Sequence, residues 1–264
     1  MQEAILKRED HGAVCLLTLN NPAKLNVLSD AMLAALQGQL DVLAEDKTIR
    51  AIVLTGAGKA FCAGHDLAEM TAARQASDGG QAYFADLFQR CSRLMMSILK
   101  LPQPVIAAPH GIATAAGCQL VATCDMAVAA AGTRFGVNGV NIGLFCSTPM
   151  VALSRNIPRK KAFEMLVTGE FIDAGEAQKL GLINQIAPEG DQLTHALALA
   201  EKVASKFGRA VAIGKEAYYI QAELGLSAAY EYTGQVMVEN MMVNDTAQGI
   251  EAFLNKRDPE WDQP

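Results

Sequence analysis

Two short, wholly apolar runs, AIVLTG (51–56) and PVIAAP (104–109), each empty directly into a loop of small residues. A strand without polar alternation is one buried on both faces, the signature of a parallel sheet covered by helices. The pattern around them agrees. AVCLLTLN (13–20) precedes them as a β-rich run, and MAVAA (126–130) follows as another. Between them lie helical patterns. Ser29 is placed to cap one that carries Met32, Leu36, Leu40 and Leu43 on a single face. Residues 83–101 form an amphipathic helix stopped by Pro102, and residues 115–124 a third helix. Strand–helix alternation of this kind predicts an α/β class with mostly parallel strands. From about residue 159 onward the spacing is almost entirely helical, with helices expected over 192–207, 209–224, 227–243 and 246–255. The expected organisation is an α/β core over 1–190 and a helical region over 191–264.

The 264 residues suffice for one large domain, or one with an appendage. Only 6% are aromatic, so Ala, Leu and Val must fill the core. Net charge is −6, and no basic run is longer than Arg159-Lys160-Lys161, which argues against nucleic acid and anionic membrane as partners. Pro102, Pro104, Pro109 and Asp125 interrupt the best candidate for a membrane span. The six cysteines form no C-x-x-C pair and the four histidines have no ligand spacing, so reduced thiols and no metal are expected. MQEAILKRED lacks an apolar stretch and carries acids, so neither a secretory signal nor a transit peptide is expected, and the location expected is cytoplasmic.

The loop TGAGKAFCAGHD (55–66) is no nucleotide loop. Ala60 stands where a Walker loop needs Ser or Thr, and Phe61 where a dinucleotide fingerprint needs Gly. A second small-residue loop, HGIATAAG (110–117), leaves the next strand in the same way. Two such loops at the carboxyl ends of buried strands lie where α/β sheets bind ligands. Together they could aim two backbone N–H groups at one oxygen, the device that stabilises charge on an ester or thioester. The helix after the second loop offers Gln119 as the polar side chain of its first turn, a group that moves no proton at ordinary pH.

TGAGKAFCAGHDLAEM, PVIAAPHGIATAAGCQLVATCD and FEMLVTGEFIDAGEAQKLGLIN resemble the enoyl-CoA hydratase/isomerase (crotonase) family, and the likeness runs from NNPAKLNVLS to AFLNKR. Residues 143–166 resemble most the subgroup of enoyl-CoA hydratase domain-containing protein 3. The resemblance implies a spiral of ββα turns, a C-terminal helical region that makes a homotrimer or a dimer of trimers, and an acyl-CoA thioester as ligand. No permanently bound cofactor is implied; coenzyme A enters as part of the substrate. It also implies an oxyanion hole from the backbone N–H groups of His65 and Ala116, the latter in place of a usual Gly. Lys24, Ala63, His65, Asp66 and Leu67 match the segments that hold coenzyme A. Phe253 and Lys256 match residues that reach a coenzyme A on a neighbouring subunit.

The two acid positions of the resembled hydratases are not acids here. Gln119 replaces the first, Gly139 in FGVNG replaces the second, and no Asp or Glu lies between Thr133 and Pro158. A general base contributes about a hundred- to ten-thousand-fold, so ordinary hydration is doubtful. An oxyanion hole alone still serves enolate chemistry. The reading expected is an acyl-CoA enzyme of altered chemistry; the alternatives are a non-catalytic or regulatory acyl-CoA-binding protein, and a thioesterase or decarboxylase. The His65 ring is a candidate base, with packing on its loop or on coenzyme A the weightier expectation. Asn141 and Cys146 are candidate lining residues of the acyl pocket, Cys146 a weak candidate nucleophile. Replacing Gln119 and Gly139 together by Glu is expected to raise hydration.

Overall fold

The structure, a computed structural model, describes residues 3–261. In chain order the first half runs β1 (Leu6–His11), β2 (Val14–Leu19), a 3-10 turn (Pro22–Lys24), α1 (Asp30–Glu45), β3 (Ala51–Gly56), α2 (Leu67–Ala73), α3 (Gln81–Lys100), β4 (Val105–Ala107), β5 (Ile112–Thr114), α4 (Ala116–Thr123), β6 (Met126–Ala130) and β7 (Arg134–Gly136). A second 3-10 turn (Asn138–Ile142) leads into α5 (Pro149–Asn156), α6 (Arg159–Thr168), β8 (Ile172–Asp173), α7 (Ala174–Leu180) and β9 (Gln185–Ala187). Four helices follow: α8 (Gln192–Ala204), α9 (Gly208–Gln221), α10 (Leu226–Met241) and α11 (Asn244–Leu254).

The larger sheet has the order β1-β2-β3-β4-β6-β9, and β5, β7 and β8 form a smaller one. Every pairing from β2 to β9 in the larger sheet is parallel, as the apolar runs require. β1 is the exception. It pairs antiparallel with β2 from Leu6↔Leu19 to His11↔Val14, across a turn with Gly12 at φ 60. Its sequence, LKREDH, reads as surface rather than strand because it is an edge, where charges block further pairing. The strands at β5, β7, β8 and β9 were also outside the expected set; each has two or three residues, too few for a period to register.

The two faces of the sheet bury different things. Cys15, Leu17 and Leu19 of β2 point into a core shared with α1, α3 and α4. Val14 and Leu16 point the other way, onto Ala196, Ala200 and Ala204 of α8. An alanine at every fourth position lets α8 lie close against the strands. α1 starts at Ser29, whose hydroxyl accepts from the Met32 amide at 3.2 Å, the cap expected.

α9 is fastened to the core by an ionic knot. The buried Lys215 ammonium donates to Asp125 Oδ2 at 2.7 Å and to the Ile98 and Gln103 carbonyl oxygens at 2.9 Å each. Tyr219 donates to the other Asp125 oxygen at 2.7 Å, and Asp125 Oδ2 also takes the Val105 amide at 2.6 Å. Burial pushes the Lys215 pKa down, and Asp125 opposes that shift. α10 is different: none of its sixteen residues is buried.

Candidate active site

The two glycine-rich loops meet. Phe61 and Cys62 donate backbone hydrogen bonds to His110 and Ile112 at 3.0 and 3.2 Å, and Thr114 returns one to Cys62 at 3.0 Å. Two glycines make the approach possible. A Cβ on Gly117 would run into the Cys62 carbonyl group. One on Gly64, which sits at φ 91, would lie 3.0 Å from Ala115 Cβ, 3.2 Å from the Thr114 oxygen and 3.4 Å from the Ala116 nitrogen. The backbone leading into His65 is thereby pressed against the amino end of α4. Among the described residues no backbone acceptor takes the N–H of His65 or of Ala116.

Ala115, at the turn into α4, adopts φ 49 and ψ −119. A side chain strongly disfavours that region, and such strain gathers at functional sites. Leu25 and Asn26 are also left-handed, at φ 52 and 53. They belong to the strap 21–28, which is tied to the first loop by Ala63 N to Leu25 O at 3.0 Å and Leu28 N to Gly64 O at 2.7 Å. Asn26 is completely buried and fully used. Its Nδ2 donates to the Ala57 and Ala60 oxygens at 2.8 Å each, and its Oδ1 accepts from the Asn21 amide at 2.9 Å. The sequence reading missed Asn26; the signal available was an Asn, tolerant of left-handed backbone, inside NNPAKLN.

Lys24 and Asp66 form an ion pair at 2.9 Å, with Lys24 largely exposed and Asp66 buried. Asp66 Oδ1 also caps α2 through the Ala68 and Glu69 amides. Lys24 above all, then those amides, hold the Asp66 pKa below the ordinary carboxylate value. Ala63 lies in the strapped segment, and Leu67, the first residue of α2, stands exposed beside it.

The His65 ring turns away from the loop junction. Nδ1 faces the Leu28 carbonyl oxygen at 3.4 Å, and the ring meets Phe88 of α3 edge-on at 5.9 Å between centroids. Burial, more than the nearby Arg90 charge, lowers its pKa, so it is neutral at pH 7. With the proton on Nδ1 toward the carbonyl, the lone pair sits on Nε2, which is buried and has no protein partner.

Gln119 lies one turn past Ala116 and is 5% exposed; its Oε1 meets no protein donor. Helical side chains tilt toward the amino end, so this carboxamide belongs to the same end of α4 as the Ala116 N–H. Just before α4, Thr114 donates its hydroxyl proton to Asn138 Oδ1 at 2.5 Å, a pair the sequence reading also missed.

At the second acid position there is no room for a side chain. A Cβ on Gly139 would collide with the Leu144 carbonyl oxygen and lie 2.9 Å from Cys146 Sγ. The turn is closed by Leu144 N to Gly139 O at 2.9 Å. The expectation that two Glu replacements raise hydration is therefore corrected: the second Glu has nowhere to start. Cys146 is buried, and burial raises its pKa, which makes it an inert thiol rather than a nucleophile. All six cysteines are buried free thiols. The exposed Asn141 carboxamide lies over Gly169 at the end of α6, its Oδ1 2.6 Å from where a Cβ would stand. Phe253 is 81% exposed on α11, and Lys256 follows that helix with a left-handed backbone at φ 53.

The enoyl-CoA hydratase/isomerase family profile matches residues 9–264. Enoyl-CoA hydratase domain-containing protein 3, mitochondrial, of Rattus norvegicus is 46% identical over 93% of this chain and 80% of its own length. The 2,3-dehydroadipyl-CoA hydratase of Escherichia coli is 34% identical over 99% of both. A crystal structure of an enoyl-CoA hydratase from Mycobacterium smegmatis superimposes with a TM-score of 0.94 at 52% identity, over 98% of this chain and 99% of that one. The human domain-containing protein 3 structure gives 0.92 at 44%, over 97% and 100%. These neighbours carry the crotonase fold, as the resemblance implied. The expected cytoplasmic location is contradicted: the rat, human and mouse relatives are named as mitochondrial proteins. No helix among the described residues is long and apolar enough to cross a membrane. By profile, identity and superposition alike, the chain belongs to the enoyl-CoA hydratase/isomerase family, which acts on coenzyme A thioesters.

Proposed function

We propose that the chain binds an acyl-CoA thioester with the carbonyl oxygen between the N–H groups of His65 and Ala116, and acts on it without the paired acids of a hydratase. The observation that carries this is the close approach of Gly64 to the Ala116 nitrogen, held by the strained backbone at Ala115. Two backbone donors there are worth several kcal/mol to an enolate. At the same end of α4 stand neutral groups, Gln119 and the Thr114–Asn138 pair, with no carboxylate at the Gly139 position. Such a site supports decarboxylation through an enolate better than addition of water across a double bond.

Lys24, Ala63, Asp66 and Leu67 form the coenzyme A strap in this reading. Phe253 and Lys256 reach a coenzyme A held by a neighbouring copy in a homotrimer or dimer of trimers. The division of labour is a core over 1–190 and an oligomerising region over 191–264, with α10 and α11 making the contact. A 16-residue helix with no buried residue in its own chain supports this.

A calorimetric titration with coenzyme A, run beside a turnover assay with crotonyl-CoA, tests the reading. Saturable binding with hydration near background is expected. Hydration at roughly 1–1,000 per second would overturn it. Buried thiols and neutral amides also favour a second reading, a protein that binds acyl-CoA without turnover; binding with no activity on any acyl-CoA would select it.

A further inference from the structure

The sheet has a second concavity on its other face. There α8 covers Val14, Leu16, Ala51 and Val53, and beyond them Thr18 and Thr55 floor an open groove of about 610 Å³. This is the face opposite Leu17, Leu19 and Cys62, which belong to the core shared with α4. Glu9 and His11 of β1 wall one side, Glu189 and Gln192 at the start of α8 the other, and His110 closes the end near Gly58. The size is that of a small-molecule site, and the place is the carboxyl end of parallel strands.

The lining is rich in acceptors. Gln192 is 8% exposed, and its Oε1 has no protein partner. His110 turns Nε2 to the Gly58 carbonyl oxygen at 2.9 Å. A carbonyl only accepts, so Nε2 carries a proton, and the neutral ring has its lone pair on Nδ1, which is buried and unpartnered. The Thr55 hydroxyl spends its proton on the Ala108 oxygen at 3.0 Å. Glu189 takes the Gly132 amide on Oε2 and keeps Oε1 available. Neither Lys nor Arg lines the groove. The amino end of α8 contributes roughly half a positive charge, which the two carboxylates outweigh. Among the described residues no three His, Cys, Asp or Glu side chains are placed to hold a metal ion.

We infer that this groove is a second binding site, separate from the thioester site, for a small organic cation bearing several N–H donors, an alkylguanidinium or alkylammonium. Its charge faces Glu9 and Glu189, its donors face the acceptor-rich wall of Gln192 and His110, and its alkyl part lies on Leu193 and Leu197. A neutral ligand of the same shape forfeits the charge-assisted bonds, which are the strong ones.

The probe is butylguanidinium, with butylurea as its neutral counterpart, titrated by calorimetry into the full chain at about 0.15 M salt so that diffuse surface attraction is screened. Saturable binding at about 1 mM or tighter is expected, at least about tenfold stronger than for butylurea and weakened about tenfold in the Glu9→Gln/Glu189→Gln double variant. Both replacements are at exposed positions, and an unchanged melting curve confirms that the variant folds. Three results would each overturn the inference: no saturable heat up to about 10 mM, equal binding of butylurea, or full retention of binding in the folded double variant.

Discussion

The carbonyl oxygen of Leu144 occupies the space that a Cβ on Gly139 would need. The position that holds an acid in the resembled hydratases is thus closed by backbone, and backbone yields less easily than a side-chain tip. Gly139→Ala is expected to cost about 1–3 kcal/mol by overpacking, read from urea denaturation midpoints. The Gln119→Glu/Gly139→Glu variant is expected to show no gain in crotonyl-CoA hydration over Gln119→Glu. A clear rise would mean that residues 143–146 open readily.

Ala115 and Gly64 make opposite predictions. A non-glycine residue in a strained backbone region costs about 1–3 kcal/mol, so Ala115→Gly should stabilise the protein despite the added chain entropy. Gly64→Ala should destabilise it and abolish coenzyme A binding, because its Cβ presses on Ala115 and Thr114. Melting temperatures and calorimetry separate the two; an Ala115→Gly protein that melts lower than the parent would refute the strain at this turn.

Asp66 links the coenzyme A strap to acid stability. Its folded-state pKa is depressed, so its contribution is present above its ordinary value of 3.8 and is lost as pH falls through the lower folded value. Asp66→Ala should cost about 1 kcal/mol at pH 7, mostly for the lost cap, because an exposed Lys24 partner adds little. The gap to the parent should narrow below about pH 4. Denaturation at pH 7 and pH 3 checks this, and a gap that grows in acid would contradict it.

Lys215 is the costly residue of the fold. Lys215→Met leaves the largely buried Asp125 and two carbonyl oxygens without their ammonium donor, and breaking a buried pair costs about 3–5 kcal/mol. A loss under about 1 kcal/mol in chemical denaturation would show that water replaces the ammonium freely.

Tyr230, Met237, Met241 and Met242 stand exposed on or just after α10. Light scattering at micromolar concentration should give a multiple of 28.1 kDa, with three or six copies. Met241→Glu/Met242→Glu should lower that mass. A parent protein that runs as a clean monomer would remove the assembly.

Much of this architecture was written in the sequence through short-range chemistry. Unbroken apolar runs fixed β3 and the parallel sheet, Ser29 fixed the start of α1, and 3.6-residue spacing placed α8 to α11 within a few residues. The loops at 55–66 and 110–117 could be paired because both follow buried strands. Other features depend on what lies across space. LKREDH becomes β1 only because β2 supplies a partner. The His65 ring finds Leu28 and Phe88, which are 37 and 23 positions away in sequence, and so points away from a base's place. Gly139 looks like an acid merely deleted until Leu144 and Cys146 fold over it. Residue types and periods determine which elements form; the spaces left between them, and hence which side chain can stand where, are set only when distant backbones close on one another.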